Sequence, residues 1–234
     1  MKIDAIILAG GLGKRLRSAI CNLPKVLAPV NGRPFLDILL GYLQESKKIR
    51  HVVLAAGYMS DDIIGVYGKG KKYNFDIIFS VEKKALGTGG AIRKALSLTD
   101  TEHVLVLNGD SYINADIPKL LNQHLASEAD MSIVLKYLND VSRYGAVTRD
   151  KNNRIIKFSE KSKKMAPGYI NAGIYLFKRD LFDKVKSHKK LSLERDLLPC
   201  FLSKGVYGYI CNKKFIDIGI PETYARAASY LKQN

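Results

Sequence analysis

Two kinds of apolar segment alternate along the chain. Short continuous runs, Lys2 to Ala9, Val52 to Ala56, Asp76 to Ser80, His103 to Leu107 and Met131 to Tyr137, have the length and aliphatic content of strands buried on both faces. Between them, apolar residues fall at helical spacing. Phe35, Leu36, Leu39, Leu40 and Leu43 predict a helix through about Gln44, with Pro34 in its first turn, where a missing N–H costs nothing. Ser60-Asp61-Asp62 predicts the cap of a short helix, and further helices open near Gly87 and after Asp116. Such alternation predicts a mainly parallel sheet with right-handed crossovers, whose ligands bind beyond the carboxyl ends of the strands.

The grain changes after residue 137. Tyr144-Gly145-Ala146-Val147, Ile155 to Phe158 and Gly168 to Phe177 read as shorter, partly alternating strands, with turn residues such as Asp150 to Asn153 between them. A last helix starts at Pro221. The expectation is therefore an α/β fold: a Rossmann-like, mainly parallel mixed sheet flanked by helices, with a smaller mixed β extension. It is expected as a single domain over 1–234, made of a 1–137 core and a 138–234 remainder.

Composition adds little to this until charge is considered. The 234 residues, 47% hydrophobic and 26% charged, suit one soluble globular domain and exclude wholesale disorder. The formal net charge of +16 raises a nucleic-acid or membrane function. Against this, the lysines are scattered in pairs and triplets such as Lys69 to Lys72, Lys161 to Lys164, Lys189-Lys190 and Lys213-Lys214, without a basic helical stripe or an aromatic RNA-binding signature. A solvated basic surface that attracts anionic substrates is the better account, with no nucleic-acid or membrane partner expected. Cys21, Cys200 and Cys211 form no C-x-x-C pair, which argues against zinc and for a reducing compartment, and no apolar run approaches a membrane span. A cytoplasmic protein is expected; oligomeric state is not legible.

Candidate chemistry begins at Leu8-Ala9-Gly10-Gly11-Leu12-Gly13-Lys14-Arg15-Leu16-Arg17, followed by Pro24-Lys25. A buried strand delivers the backbone to clustered glycines, which let main-chain N–H groups approach an anion. Arg15 can fork two phosphate oxygens, and Lys25 is a point charge able to follow a phosphoryl group. The stretch is neither a dinucleotide fingerprint, which would need glycine at Leu16, nor a P-loop, which would need glycine at Leu8 and Ser or Thr at Arg15. Leu86-Gly87-Thr88-Gly89-Gly90 can lie against a planar base at a helix N-terminus. Asp110, in Asn108-Gly109-Asp110 at the end of a buried strand, is well placed to hold Mg²⁺ beside phosphates. Asp217, a lone acid between Ile216 and Ile218, is costly to bury without a cation and reads as a second ligand. Gly109-Asp110-Ser111 could also open a serine hydrolase motif, yet Tyr112 follows and no histidine lies in an obvious partner segment.

These motifs resemble those of the sugar-1-phosphate nucleotidylyltransferases, L-A-G-G-x-G-T-R-L followed by P-K-P, with Lys14 in place of threonine and Val26 in place of the second proline. The likeness runs from Leu8 to Ala228 and implies the nucleotide-diphospho-sugar transferase type of fold, with the β extension closing over a sugar. It implies nucleotide binding at Leu8, Ala9, Gly10, Gly11, Gly13, Arg15, Lys25, Glu82, Gly87, Thr88, Asn108 and Asp110, with Arg15, Lys25 and Asp110 catalytic. It implies sugar-phosphate binding at Tyr144, Gly145, Glu160, Lys161, Asn171 and Gly173, and metal at Asp110 and Asp217. Ser142 to Val147, Ser192-Leu193-Glu194-Arg195-Asp196 and Phe215 to Ala228 are most similar to the D-glycero-α-D-manno-heptose 1-phosphate guanylyltransferases, which implies GTP and that heptose phosphate as substrates, for surface polysaccharides. Mannose 1-phosphate guanylyl, glucose 1-phosphate thymidylyl and N-acetylmuramate 1-phosphate uridylyl transfer are the neighbouring alternatives.

Overall fold

A computed structural model describes residues 1–17, 19–20, 22–68, 72–159, 165–185 and 190–231. Strand β1 (Ile3–Leu8) is followed by the glycine-rich loop and a 3₁₀ turn, Lys25–Leu27. β2 (Pro29–Val30) and β3 (Arg33–Pro34) make a hairpin whose Asn31 and Gly32 both have positive φ, as a primed two-residue turn requires. Then come α1 (Phe35–Glu45), β4 (Ile49–Ala56), α2 (Ser60–Tyr67), β5 (Asp76–Val81), α3 (Gly87–Ala95), β6 (His103–Asn108), β7 (Ser111–Ile113), α4 (Ile117–Ala126) and β8 (Met131–Leu138). The remainder contains β9 (Ala146–Arg149), β10 (Ile155–Ser159), β11 (Gly168–Lys178), α5 (Leu198–Phe201), β12 (Val206–Ile210), β13 (Phe215–Asp217) and α6 (Pro221–Leu231).

Strands β5, β4, β1 and β6 lie side by side in parallel, as the alternation of strand and helix predicts. The sheet continues through β11, antiparallel to both β6 and β8, and ends with β12, parallel to β8. β11 is the branch point. Its later half pairs with β6, whereas Tyr169 in its earlier half lies opposite Val147 of β9, which carries β10 on its other edge. The change falls at a register shift between Asn171 and Tyr175, around Gly173 at φ +79°. A bulge of this kind bends its strand, and here it carries the β9–β10 extension past the carboxyl end of β6.

Two apolar cores cover the faces of this sheet. One gathers Ile3, Ala5 and Ile7 of β1 with the buried sides of α1, α2 and α4; the other gathers Ile6 with Ile92 of α3, Phe182, and Leu198 and Phe201 of α5. Alternate residues of one strand thus serve opposite cores, the reason β1 shows no polar face.

Helix starts differ in detail from expectation. Pro34 is the N-cap of α1 and not its first residue, and α2 is preceded by Met59 in a left-handed conformation, with no side-chain cap from Ser60. Asp116 does cap α4, accepting from the Lys119 N–H at 2.9 Å.

At the amino end of β6, buried His103 and His124 share a hydrogen bond (Nδ1 to Nε2, 3.0 Å), and His124 Nδ1 meets Ser132 Oγ at 2.9 Å. Burial, then the neighbouring His103, lowers the His124 pKa to about 4. Its folded value lies below its unfolded one, so the unfolded chain binds more protons between pH 6.5 and 4, and stability falls as pH drops through that window. The expected loss is on the order of 3 kcal/mol. Urea unfolding at pH 7 and 4.5 checks this, and His124→Asn should flatten the difference.

Candidate functional site

A cleft of about 730 Å³ opens at the carboxyl ends of β1, β4 and β6, with Leu8, Ala55 and Asn108 on its floor. The glycine loop forms one wall. Gly10 is packed so closely on the end of β4 that a Cβ there would lie 3.2 Å from the Gly57 nitrogen, whereas Gly11 faces open space in the cleft. Gly13, at φ +58°, lies outside the lining; it turns the chain so that Leu16 is buried and Arg15 reaches the cleft.

The most strongly charged corner lies where β7 pairs with β13. The Ile218 N–H donates to the Asp110 carbonyl, and Asp217 lies opposite Ser111, which brings two distant carboxylates to one place. Lys25, 11% exposed, donates from Nζ to Asp110 Oδ2 at 2.5 Å. Gly219 allows this approach: a Cβ there would sit 2.6 Å from Asp217 Oδ1 and 3.2 Å from Lys25 Nζ. Its amide also donates to Asp217 Oδ1. Burial pushes the Asp217 carboxyl up, and the Asp110 charge adds to this, against the opposing effect of Lys25. Among the described residues no group of three or more Asp, Glu, His or Cys could hold a metal ion. The chain thus offers two carboxylates, a donor set that fits a hard divalent cation completed by phosphate oxygens and water.

The opposite wall is stapled to the start of α3. The Leu191 N–H donates to Leu86 O, Leu191 O accepts from Gly89 N at 2.8 Å, and the Leu193 N–H donates to Thr88 Oγ1 at 2.7 Å. A Cβ on Gly87, φ +72°, would stand 2.5 Å from Leu191 O, so the loop needs glycine twice over. Residues Leu193–Leu197 form a π-helical turn that brings Glu194 and Arg195 to the cleft. Glu194 accepts from Thr88 Oγ1 (3.0 Å), Tyr175 OH (3.2 Å) and Ser192 Oγ (3.2 Å), and Asn171 Nδ2 donates to the Tyr175 hydroxyl at 2.8 Å. Burial, then Glu194, holds the Tyr175 phenol well above its ordinary pKa, so it stays a donor.

Leu8, Ala9, Gly10, Gly11, Arg15, Lys25, Glu82, Gly87, Thr88, Asn108, Asp110, Tyr144, Gly145, Asn171 and Asp217 all line this one cleft. Glu82 accepts from the Leu86 N–H at 2.9 Å, and burial raises its pKa. Tyr144 packs edge-on against Phe215 and carries Arg143 over its ring. Gly13 and Gly173 stand behind the lining, and Glu160 and Lys161 lie outside the described residues. Lys190, Ser192, Glu194 and Arg195 line the cleft without a role predicted from sequence; the signal for Ser192, Glu194 and Arg195 was their place in the segment resembling the guanylyltransferases, and Lys190 read as one of the scattered surface lysines.

Gly173 supports the site from below. A Cβ there would lie 2.6 Å from Ser111 Oγ and 2.8 Å from Asn108 Nδ2, at a φ that disfavours other residues. Gly173→Ala is expected to cost about 1–3 kcal/mol of stability and to displace Asn108; a thermal midpoint and activity equal to those of the unaltered chain would contradict this.

The family model described as Nucleotidyl transferase matches residues 4–234. The D-glycero-alpha-D-manno-heptose 1-phosphate guanylyltransferase of Aneurinibacillus thermoaerophilus is 40% identical over 232 residues, 98% of this chain and 99% of its own. The mannose-1-phosphate guanylyltransferase of Mycobacterium tuberculosis is 33% identical over 98% of this chain and 65% of its own. HddC from Yersinia pseudotuberculosis, in a crystal structure complexed with GMP-PN, superposes with a TM-score of 0.87 at 34% identity, covering 98% of this chain and 99% of that one.

Proposed function

Because the chain belongs to the nucleotidyl transferase family, we propose that it transfers GMP from GTP to D-glycero-α-D-manno-heptose 1-phosphate, releasing pyrophosphate. Residues 1–234 act as one catalytic domain, with 1–137 holding the nucleotide and 138–234 the sugar. The observation that carries the reading is the convergence of the glycine loop, Lys25, Asp110 and Asp217 at one end of the cleft, with Asn171 and Tyr144 lining the same cavity. The base and the sugar rest on the guanylyltransferase relative and on the GMP-PN complex of HddC.

An oxygen of the sugar phosphate attacks the α-phosphorus of GTP in line; the new P–O bond forms as the bond to the β-phosphate oxygen breaks, and pyrophosphate leaves with the electron pair. The protein positions the two anions and neutralises charge. Arg15 holds the departing β- and γ-phosphates, Lys25 meets the α-phosphate, and Lys161 meets the sugar phosphate. Glu82, Gly87 and Thr88 border the base and ribose; Tyr144, Gly145, Glu160 and Asn171 border the sugar. Asp110 and Asp217 would hold a divalent cation, Mg²⁺ in this reading, which would supply charge neutralisation on the triphosphate. No helix among the described residues is long and apolar enough to cross a membrane. In this reading the activated heptose is made in the cytoplasm for surface polysaccharides.

The test is pyrophosphate release for GTP, ATP, UTP and dTTP crossed with heptose, mannose, glucose and N-acetylmuramate 1-phosphates. GTP with the heptose is expected to be best, with mannose lower by about a hundredfold if the extra hydroxymethine is only accommodated and by about ten-thousandfold if its hydroxyl is hydrogen-bonded. Preference for mannose, as the mycobacterial relative's name describes, or for a pyrimidine nucleotide would overturn the substrate assignment. Absence of turnover with every pair would overturn the reaction.

A further inference from the structure

We propose that in the free protein the Lys25 ammonium, paired with Asp110 and close to Asp217, stands where the divalent cation will bind, so that the ion enters only when a triphosphate draws Lys25 away. The proposal rests on the assignment of those carboxylates to a cation, made above. Lys25 Nζ is 2.5 Å from Asp110 Oδ2. A Cβ built on Gly219 would lie 2.6 Å from Asp217 Oδ1 and 3.2 Å from Lys25 Nζ, so the second acid is also near the ammonium. The ammonium is therefore paired with Asp110, and its charge also acts on Asp217. Arg143, over the Tyr144 ring, is the other cation acting on Asp217.

A divalent ion cannot join these acids while Lys25 remains, because three positive charges would crowd two negative ones. Lys25 is also mostly buried, and leaving Asp110 without a new anion would strand its charge. The stem is already seated beside the glycine loop, with a Cβ on Gly13 only 3.4 Å from the Lys25 Cβ. A triphosphate on that loop supplies the new partner, and the four-carbon stem can turn to it where a rigid guanidinium could not. Metal and nucleotide then bind with positive coupling, each removing an obstacle to the other.

The test measures Mn²⁺ binding to the nucleotide-free full chain by loss of the free-ion electron paramagnetic resonance signal. Lys25→Met should bind Mn²⁺ about tenfold or more tighter than the unaltered chain, although it is expected to turn over poorly. Lys25→Arg, which keeps the charge, should bind as weakly as the unaltered chain. Lys25→Gln repeats the measurement if the methionine variant does not fold. Equal or weaker binding by the neutral variants overturns the proposal, and binding by none of the proteins overturns it together with the carboxylate assignment. Tight Mn²⁺ binding by Lys25→Met in a chain with no turnover on any substrate pair upholds the displacement and removes only the proposed reaction.

Discussion

Asp110→Asn is expected to lower kcat by about a hundredfold or more, even at saturating Mg²⁺. Two effects combine. The substitution removes half of the charge that two carboxylates offer a cation, and it breaks the 2.5 Å pair that orients Lys25. Stability should fall less than activity: Asp110 is exposed to the cleft by 39%, and relief of its repulsion on Asp217 partly offsets leaving the mostly buried Lys25 ammonium without its partner. The measurement is pyrophosphate release across a Mg²⁺ titration, with the thermal midpoint recorded alongside. Near-normal kcat at high Mg²⁺ would remove Asp110 from the reaction. Loss of activity matched by loss of fold would assign it to the β7–β13 corner alone.

Arg15→Ala is expected to cost about a hundred- to a thousandfold in kcat/KM while leaving the thermal midpoint unchanged. The contrast follows from its surroundings: Arg15 reaches the cleft and makes no ion pair with any described residue. Removing it therefore strands no partner in the fold, whereas a departing pyrophosphate would lose a bidentate cation. If the interaction forms mainly as negative charge moves to the leaving group, kcat falls more than KM rises; if it is present equally in the bound substrate, KM carries the change. Arg15→Lys should recover part of the loss, because charge remains but the fork does not. Activity within twofold of the unaltered chain would make Arg15 a surface cation.

Local chemistry made much of this architecture legible in the chain. The continuous run Val52 to Ala56 has the length of a strand buried on both faces, and the stripe of α1 repeats at the helix period. Asn31-Gly32 is a turn-forming pair by residue type, since both residues accept the positive φ they show here. The glycine loop, Arg15, Lys25, Asp110 and Asp217 were legible as candidate chemistry from residue type and neighbours. The helix starts at Met59 and Pro34 were not, because the backbone conformation before a helix depends on how the preceding strand docks.

Other features exist only in three dimensions. β12 pairs with β8, and β7 pairs with β13 across about a hundred residues of chain; no local pattern encodes which strands meet, since pairing is decided by competition among buried surfaces. The approach of Asp217 to Asp110 and its lysine partner follows from that pairing. Glu194 looks like a solvated acid in Ser-Leu-Glu-Arg-Asp, and only the docking of Leu191 on α3 and the π-helical turn bring it to Thr88 and Tyr175. By itself the sequence determined most of the elements, the parallel sense of the first half and the charged groups able to handle phosphates, because propensity, periodicity and residue chemistry act over a few neighbours. Tertiary structure alone decided which of those groups face one another, because distance between side chains is set by strand pairing and core packing, which act without regard to separation along the chain.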